Sequence, residues 1–280
     1  MKSTESIKRS ARVRRTWRII LALFICLLQL VPVYITFTVS VKPQTDMSSK
    51  WLIPAKPFWQ NYMTALEAGN LLRAFLNTLI ITVISTGLVV VLGAASAYPL
   101  ARNPSRLNKG VKTFILSIMM VPALSLLVPL YVMLVHFHAI STYWGIIPVH
   151  VVFNLPLAIF MYANFIETIP QELDEAALID GCSVYSIFGR IILPLMTPVT
   201  VSVMILTSVN AWNDYQYSLY FLQKPAMKVL TLSIASFFGQ SGADPHVAAA
   251  AALLAILPIM IIYLCLQKYF VKGMVEGAIK

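Results

Sequence analysis

Charged side chains are scarce in this sequence, at 11% of residues, against roughly a quarter in ordinary soluble domains. That scarcity excludes a soluble fold of this length, which needs far more polar surface than these residues supply. Cysteine is scarcer still. Cys26, Cys182 and Cys265 lie far apart, with neither metal-ligand spacing nor a disulfide framework, and read as small packing residues. The histidines, His136, His138, His150 and His246, are too dispersed for a metal site and are expected near interfaces. No G-x-x-x-x-G-K-S/T phosphate loop occurs, so ATP cannot be cradled by that route.

What is abundant is apolar sequence, 59% of residues, in blocks long enough to cross a bilayer. Six spans are expected: Ile19–Val39, Phe75–Leu100, Phe114–Val135, Trp144–Phe165, Pro198–Leu219 and Ala248–Leu266. The first is too long for a signal-peptide core and no small-x-small cleavage site follows, so it reads as a retained span. Gly93, Ala94, Ala95, Ser96 and Ala97 in the second would let a neighbouring helix approach closely. Pro122, Pro129, Pro148 and Pro156 fall inside the third and fourth and read as ordinary kinks.

The net charge of +10 is not a nucleic-acid signature, because of where it sits. Lys2, Lys8, Arg9, Arg12, Arg14, Arg15 and Arg18 all precede the first span, which is the pattern of a cytoplasmic topogenic segment. With both termini inside, the inner face collects 15 basic residues and the outer face 6. This positive-inside asymmetry places residues 166–197 in the cytoplasm.

That segment carries Glu167, Glu172, Asp174, Glu175 and Asp180 among the 11 acidic residues of the chain. A short helix opens after Pro170, its acids favoured by the positive end of the helix dipole. Leu173, Ala176, Ala177 and Asp180 fall at i, i+3, i+4 and i+7 and so form one narrow face. Gly181 offers the left-handed conformation that ends a helix, Ser183 can cap a second one over Val184–Leu193, and Pro194 stops it. A helix–glycine–helix elbow with small residues beside acids has the form of a docking element.

The spacing here, Glu175-Ala176-Ala177, three residues, Gly181, nine residues, Ile191, one residue, Leu193-Pro194, resembles the EAA loop of ABC importer permeases at every fixed position. Asn61-Tyr62, Phe75-Leu76-Asn77-Thr78-Leu79, Ala211-Trp212-Asn213-Asp214 and the tail Gly273–Lys280 are similar to the carbohydrate-uptake branch of the maltose-transporter type. The resemblance implies an all-α membrane protein of the type I importer architecture, multi-pass in a bacterial-type cytoplasmic (inner) membrane. It implies a heterodimeric partner permease, two ATPase subunits that bind ATP and Mg, an extracytoplasmic solute-binding protein, and no catalytic residue or cofactor in this chain. It further implies that the elbow is the coupling helix, biased by ATPase closure and read out in the bundle. Glu175 and Asp180 then supply polar contacts, Ala176 and Ala177 close approach, and Gly181 the elbow angle. Phe188, Ile191, Leu193 and Pro194 belong to the second arm, with Phe188 and Ile191 anchoring it. The organisation expected is a basic N-terminus (1–18), a first span with an external loop (19–72), and a core permease domain (73–280) containing the coupling loop (166–197).

Sugars need hydrogen-bonding groups and aromatic faces, and Asn210, Trp212, Asn213 and Asp214 are the candidate solute pathway. A charge inside a span is a functional candidate by default. An ion-coupled secondary carrier is the alternative; it would call for several ionisable residues within spans and for internal repeats, whereas Asp214 stands nearly alone and no repeat is visible. An intramembrane enzyme would need a nucleophile–base or metal constellation at membrane depth, and no such motif is legible.

Overall fold

A computed structural model describes the backbone of residues 2–238 and 244–278, and among them every regular element is helical. Side chains beyond Leu264 lie outside the described residues, and with them those of the tail Gly273–Lys280. The chain divides into two compact units, Met1–Gly69 with Ser236–Leu254, and Asn70–Ala235 with Ala255–Lys280.

In the first unit, α1 (Lys2–Ser40) carries a span at Arg14–Ser40 whose most apolar window is 0% buried, as befits a helix bathed in lipid. The loop after it folds back on the helix end. Asn61 at the start of α2 (Gln60–Ala68) is buried and donates to the carbonyls of Ser40 and Lys42 at 2.8 and 2.7 Å. Tyr62 and Ser40 share a hydroxyl–hydroxyl bond of 2.8 Å. Lys42 is itself buried, with Nζ held by Ser48 Oγ at 2.6 Å and the Ser49 carbonyl at 2.7 Å.

The second unit is built on α3 (Leu71–Arg102) and α6 (Tyr143–Glu167), both long and apolar enough to span a membrane. They pack along the small-residue stretch. A Cβ added at Gly93 would lie 3.1 Å from Ala158 Cβ and 3.4 Å from the Tyr162 ring, and Ala94 and Ala97 are buried beside it. Backbone proximity of this kind gives membrane helices the dispersion contacts that a hydrophobic effect cannot supply in lipid.

The third and fifth spans are not the straight helices expected. Between α4 (Arg106–Ile118) and α5 (Leu127–His136) the chain turns by 90° through Met119–Pro122 and a 3₁₀ turn, Ala123–Leu126. Pro122 is the physical reason: it pushes the preceding residue out of helical conformation and is itself extended at ψ 121°, so it ends a helix rather than kinking one. Pro129 falls in the first turn of α5, where the missing N–H had no partner to lose. Pro148 and Pro156 remain inside an unbroken α6.

The fifth span is also cut short. After α7 (Glu172–Ile179), α8 (Val184–Ile187), a π turn (Phe188–Ile192) and α9 (Leu193–Leu195), a 75° bend leads into α10 (Thr197–Trp212). Asn213 then ends α10 by donating its side-chain amide to the Val209 carbonyl at 3.0 Å, and α11 (Gln216–Phe221) starts afresh. The expected span Pro198–Leu219 is therefore two helices, because Asn213-Asp214 offers the backbone better partners than continued helix does. A short α12 (Leu230–Ser236) follows, then α13 (Pro245–Ala278), whose described apolar stretch is Pro245–Ile261. Three straight spans and two bent ones are thus recognisable among the described residues.

Candidate functional site

The elbow forms as its local chemistry dictates. Glu172, Asp174 and Glu175 occupy the first turn of α7, against the positive end of its dipole. At the other end Gly181 has φ +80°, Cys182 N donates to the Ala177 carbonyl at 2.9 Å, and Gly181 N donates to that of Leu178 at 3.0 Å. These two bonds make a Schellman motif, which satisfies carbonyls that the helix end leaves bare. Ser183 Oγ then accepts from Ser186 N at 3.3 Å and caps α8.

On the narrow face Leu173-Ala176-Ala177-Asp180 only Ala177 is buried, and the inward-facing pair of α7 is Asp174 with Ala177. Helical phase is set by what the inner face packs on, and Asp174 has partners in the bundle that periodicity alone does not reveal. One expectation at the elbow needs correction: Pro194 does not stop the second arm. The π turn at Phe188–Ile192 widens the backbone immediately before it, and the helix runs on to Leu195.

The other predicted elbow residues divide by face. Glu175, Ala176 and Asp180 are exposed, as are Leu193 and Pro194. Phe188 and Ile191 pack half-buried against the core. Ile187, Ile192 and Met196 beside them are fully enclosed and are the deeper anchors. Outward from the elbow stand Leu178, Ile179 and Tyr185, the last two 87% and 89% exposed, so large apolar groups here meet no part of their own unit.

Two residues that the sequence reading passed over hold the elbow in place. Tyr98 in the last turns of α3 donates to Asp174 Oδ1 at 2.5 Å. Arg102, one turn on, pairs with Asp174 Oδ2 at 2.8 Å and donates to the Ile169 carbonyl at 2.9 Å. The signal available was the i, i+4 placement of Tyr98 and Arg102, which sets them on one helix face. At the neighbouring corner, Lys112 of α4 pairs with Glu167 at the end of α6.

A cavity of about 930 Å³ opens deeper in the same unit, between the bent α4–α5 segment, α6 and the α10–α11 junction. Most of its wall is apolar, including Met119, Met133, Phe137, Trp144 and Phe153. His150, Asn154, Asn210, Asp214 and Tyr217 form a polar corner. Asn210 donates to Asn154 Oδ1 at 3.0 Å, and Asn154 donates to the His150 carbonyl at 2.8 Å. Asp214 accepts from Tyr217 N at 3.1 Å, Ser218 N at 2.9 Å and Ser218 Oγ at 2.7 Å, which makes it the cap of α11. His150 Nε2 lies 3.7 Å from Asp214 Oδ2. Tyr217 stacks on Phe153 with ring centres 4.9 Å apart.

Of the four pathway candidates, the cavity unites Asn210 and Asp214. Trp212 is buried, edge-on to Phe75 at 5.9 Å, and Asn213 serves its own helix end. His150 is buried in α6, and it meets Asp214 across a sequence gap that no motif spans.

Residues 89–276 match the family described as binding-protein-dependent transport system inner membrane component. The chain is 42% identical to the melibiose/raffinose/stachyose import permease protein MelC of Bacillus subtilis, over 97% of this chain and 99% of that one. It is 33% identical to the probable starch degradation products transport system permease protein AmyC of Thermoanaerobacterium thermosulfurigenes, over 97% and 99%. Among solved structures, a chain of a bacterial ABC transporter involved in the import of the acidic polysaccharide alginate superposes with a TM-score of 0.79 at 20% identity, covering 94% of this chain and 98% of that one, a likeness of fold. A continuous family match over two thirds of the chain, on a helical unit with the elbow and bent spans described above, leaves no place for the ion-coupled carrier: the chain belongs to the inner membrane components of binding-protein-dependent transport systems.

Proposed function

We propose that this chain is one permease subunit of an ATP-binding cassette importer for oligosaccharides of the melibiose–raffinose–stachyose kind. The observation that carries the cargo class is the 42% identity with MelC, sustained along nearly the whole of both chains. In this reading an extracytoplasmic binding protein delivers the sugar, and a second permease subunit completes the translocation path. Two ATPase subunits bind ATP and Mg and supply the energy. Both termini and the elbow are cytoplasmic, residues 1–18 are the basic N-terminal segment, residues 19–72 hold the first span and external loop, and residues 73–280 form the core.

The elbow is the surface on which the ATPase seats. Its projecting Leu178, Ile179 and Tyr185 suit an apolar groove, with Glu175 and Asp180 as polar rim contacts and Ala176 permitting close approach. Solute passes the polar corner of the cavity. Asn154, Asn210 and His150 offer hydrogen bonds there, and Tyr217 and Phe153 offer ring faces. Asp214 acts through position, because three of its roughly four acceptor sites already serve α11.

Deletion of this chain in its native host tests the cargo. Uptake of radiolabelled raffinose and melibiose is expected to fall to background, restored by the wild-type chain, while maltotriose uptake stays unchanged. Undiminished raffinose and melibiose uptake would refute the cargo class.

A further inference from the structure

We infer that Tyr98, Asp174 and Arg102 are a clasp through which movement of the elbow is transmitted to the spanning helix α3, with Asp174 as the positioning residue. This rests on the reading of the elbow as the ATPase-docking element. The clasp joins three separate parts of the elbow region to one end of one helix. Tyr98 bonds Asp174 on the first arm at 2.5 Å and lays its ring 5.3 Å from that of Phe188 on the second arm. Arg102 pairs with Asp174 at 2.8 Å and also takes the Ile169 carbonyl, so it grips the chain entering the elbow as well as the elbow itself.

Burial makes the joint stiff. The side chains of Arg102 and Asp174 are 11% and 13% exposed, and Tyr98 is 9% exposed as a residue. A charge pair so enclosed does not exchange freely with water, and removing one member strands the other. Asp174 neighbours Glu175 in sequence, yet Glu175 is exposed on the side of the proposed partner while Asp174 is buried against α3. One turn of helix therefore has a docking face and a transmitting face. Beyond the clasp, α3 packs closely on α6 at Gly93–Ala158, and α6 carries His150 and Asn154 into the cavity. A push on the elbow thus reaches the cavity wall through two closely packed helices.

The test uses the complete importer in proteoliposomes, with solute transported and ATP hydrolysed measured on the same sample. Asp174→Asn and Tyr98→Phe are expected to keep the ATPase bound and hydrolysing, while solute moved per ATP falls about tenfold, within the usual range of coupling between sites. Tyr98→Phe keeps the ring on Phe188, so it removes the bond without removing the packing. Arg102→Asp combined with Asp174→Arg is expected to recover part of the lost ratio. Wild-type stoichiometry in both single variants overturns the clasp as a transmission element. Loss of the ATPase from the purified variants, with transport and hydrolysis falling together, also overturns it and leaves only a structural role. With the clasp residues unaltered, elbow substitutions such as Tyr185→Asp that leave ATPase binding unaffected defeat the docking reading itself, independently of the clasp variants.

Discussion

Gly181 holds φ +80° with open space where a Cβ would project, so a side chain there meets a conformational cost and no clash. Asparagine visits that region readily, whereas a β-branched residue is an outlier in it, at a cost of about 1–2 kcal/mol. Gly181→Asn is therefore expected to keep most of wild-type uptake, and Gly181→Val to lose about tenfold, at equal amounts of chain in the membrane. Equal uptake by the two variants would show that the left-handed residue does not set the elbow. The same single-residue logic explains Asp214. It is costly in an apolar span, but here it stands at a helix break where two backbone N–H groups and a hydroxyl satisfy it.

Among the elements, the α3–α6 contact decides whether the second unit holds together. Gly93 sits at the closest approach, where a Cβ would already be 3.1 Å from Ala158 Cβ. Gly93→Val adds three carbons in that space and is expected to destabilise by about 1–3 kcal/mol, as overpacking does. Gly87→Val on the same helix is the control, since nothing lies within 4 Å of its Cβ position. Thermal unfolding of the detergent-solubilised protein should separate the two, with the lower midpoint for Gly93→Val alone. Coincident midpoints would mean that α3 and α6 have room to spare. The breaks at Pro122 and Asn213 matter at this scale too, because residues on both sides of each break line the cavity.

For the molecule as a whole, the exposed elbow is the surface on which the proposed ATPase would seat. A mild-detergent pull-down of the tagged chain from its native host should bring down a P-loop ATPase and a second permease, with ATPase activity in the eluate. Recovery of the chain alone, stable and inactive, would sink the importer assembly. Replacing Tyr185 and Ile179 with Asp together should remove the ATPase from the eluate while leaving the second permease, since both side chains project from the elbow.

Much of this was legible in one dimension. The apolar blocks, the small-residue stretch of α3, the left-handed Gly181 and the Ser183 cap are properties of neighbours in sequence, and sequence by itself determined them. Local dihedral preference and hydrogen-bond reach extend only a few residues, so such features need no fold to be read. What tertiary structure alone decided is which face of each element turns inward. Asp174 rather than Leu173 is buried because Tyr98 and Arg102, on a helix some seventy residues earlier, offer it a hydroxyl and a guanidinium. His150 meets Asp214, and Asn154 meets Asn210, for the same reason. The third span breaks fully at Pro122 while α6 absorbs two prolines unbroken. Whether a freed backbone group finds a new partner depends on the neighbouring helices, and those are known only once the chain has packed.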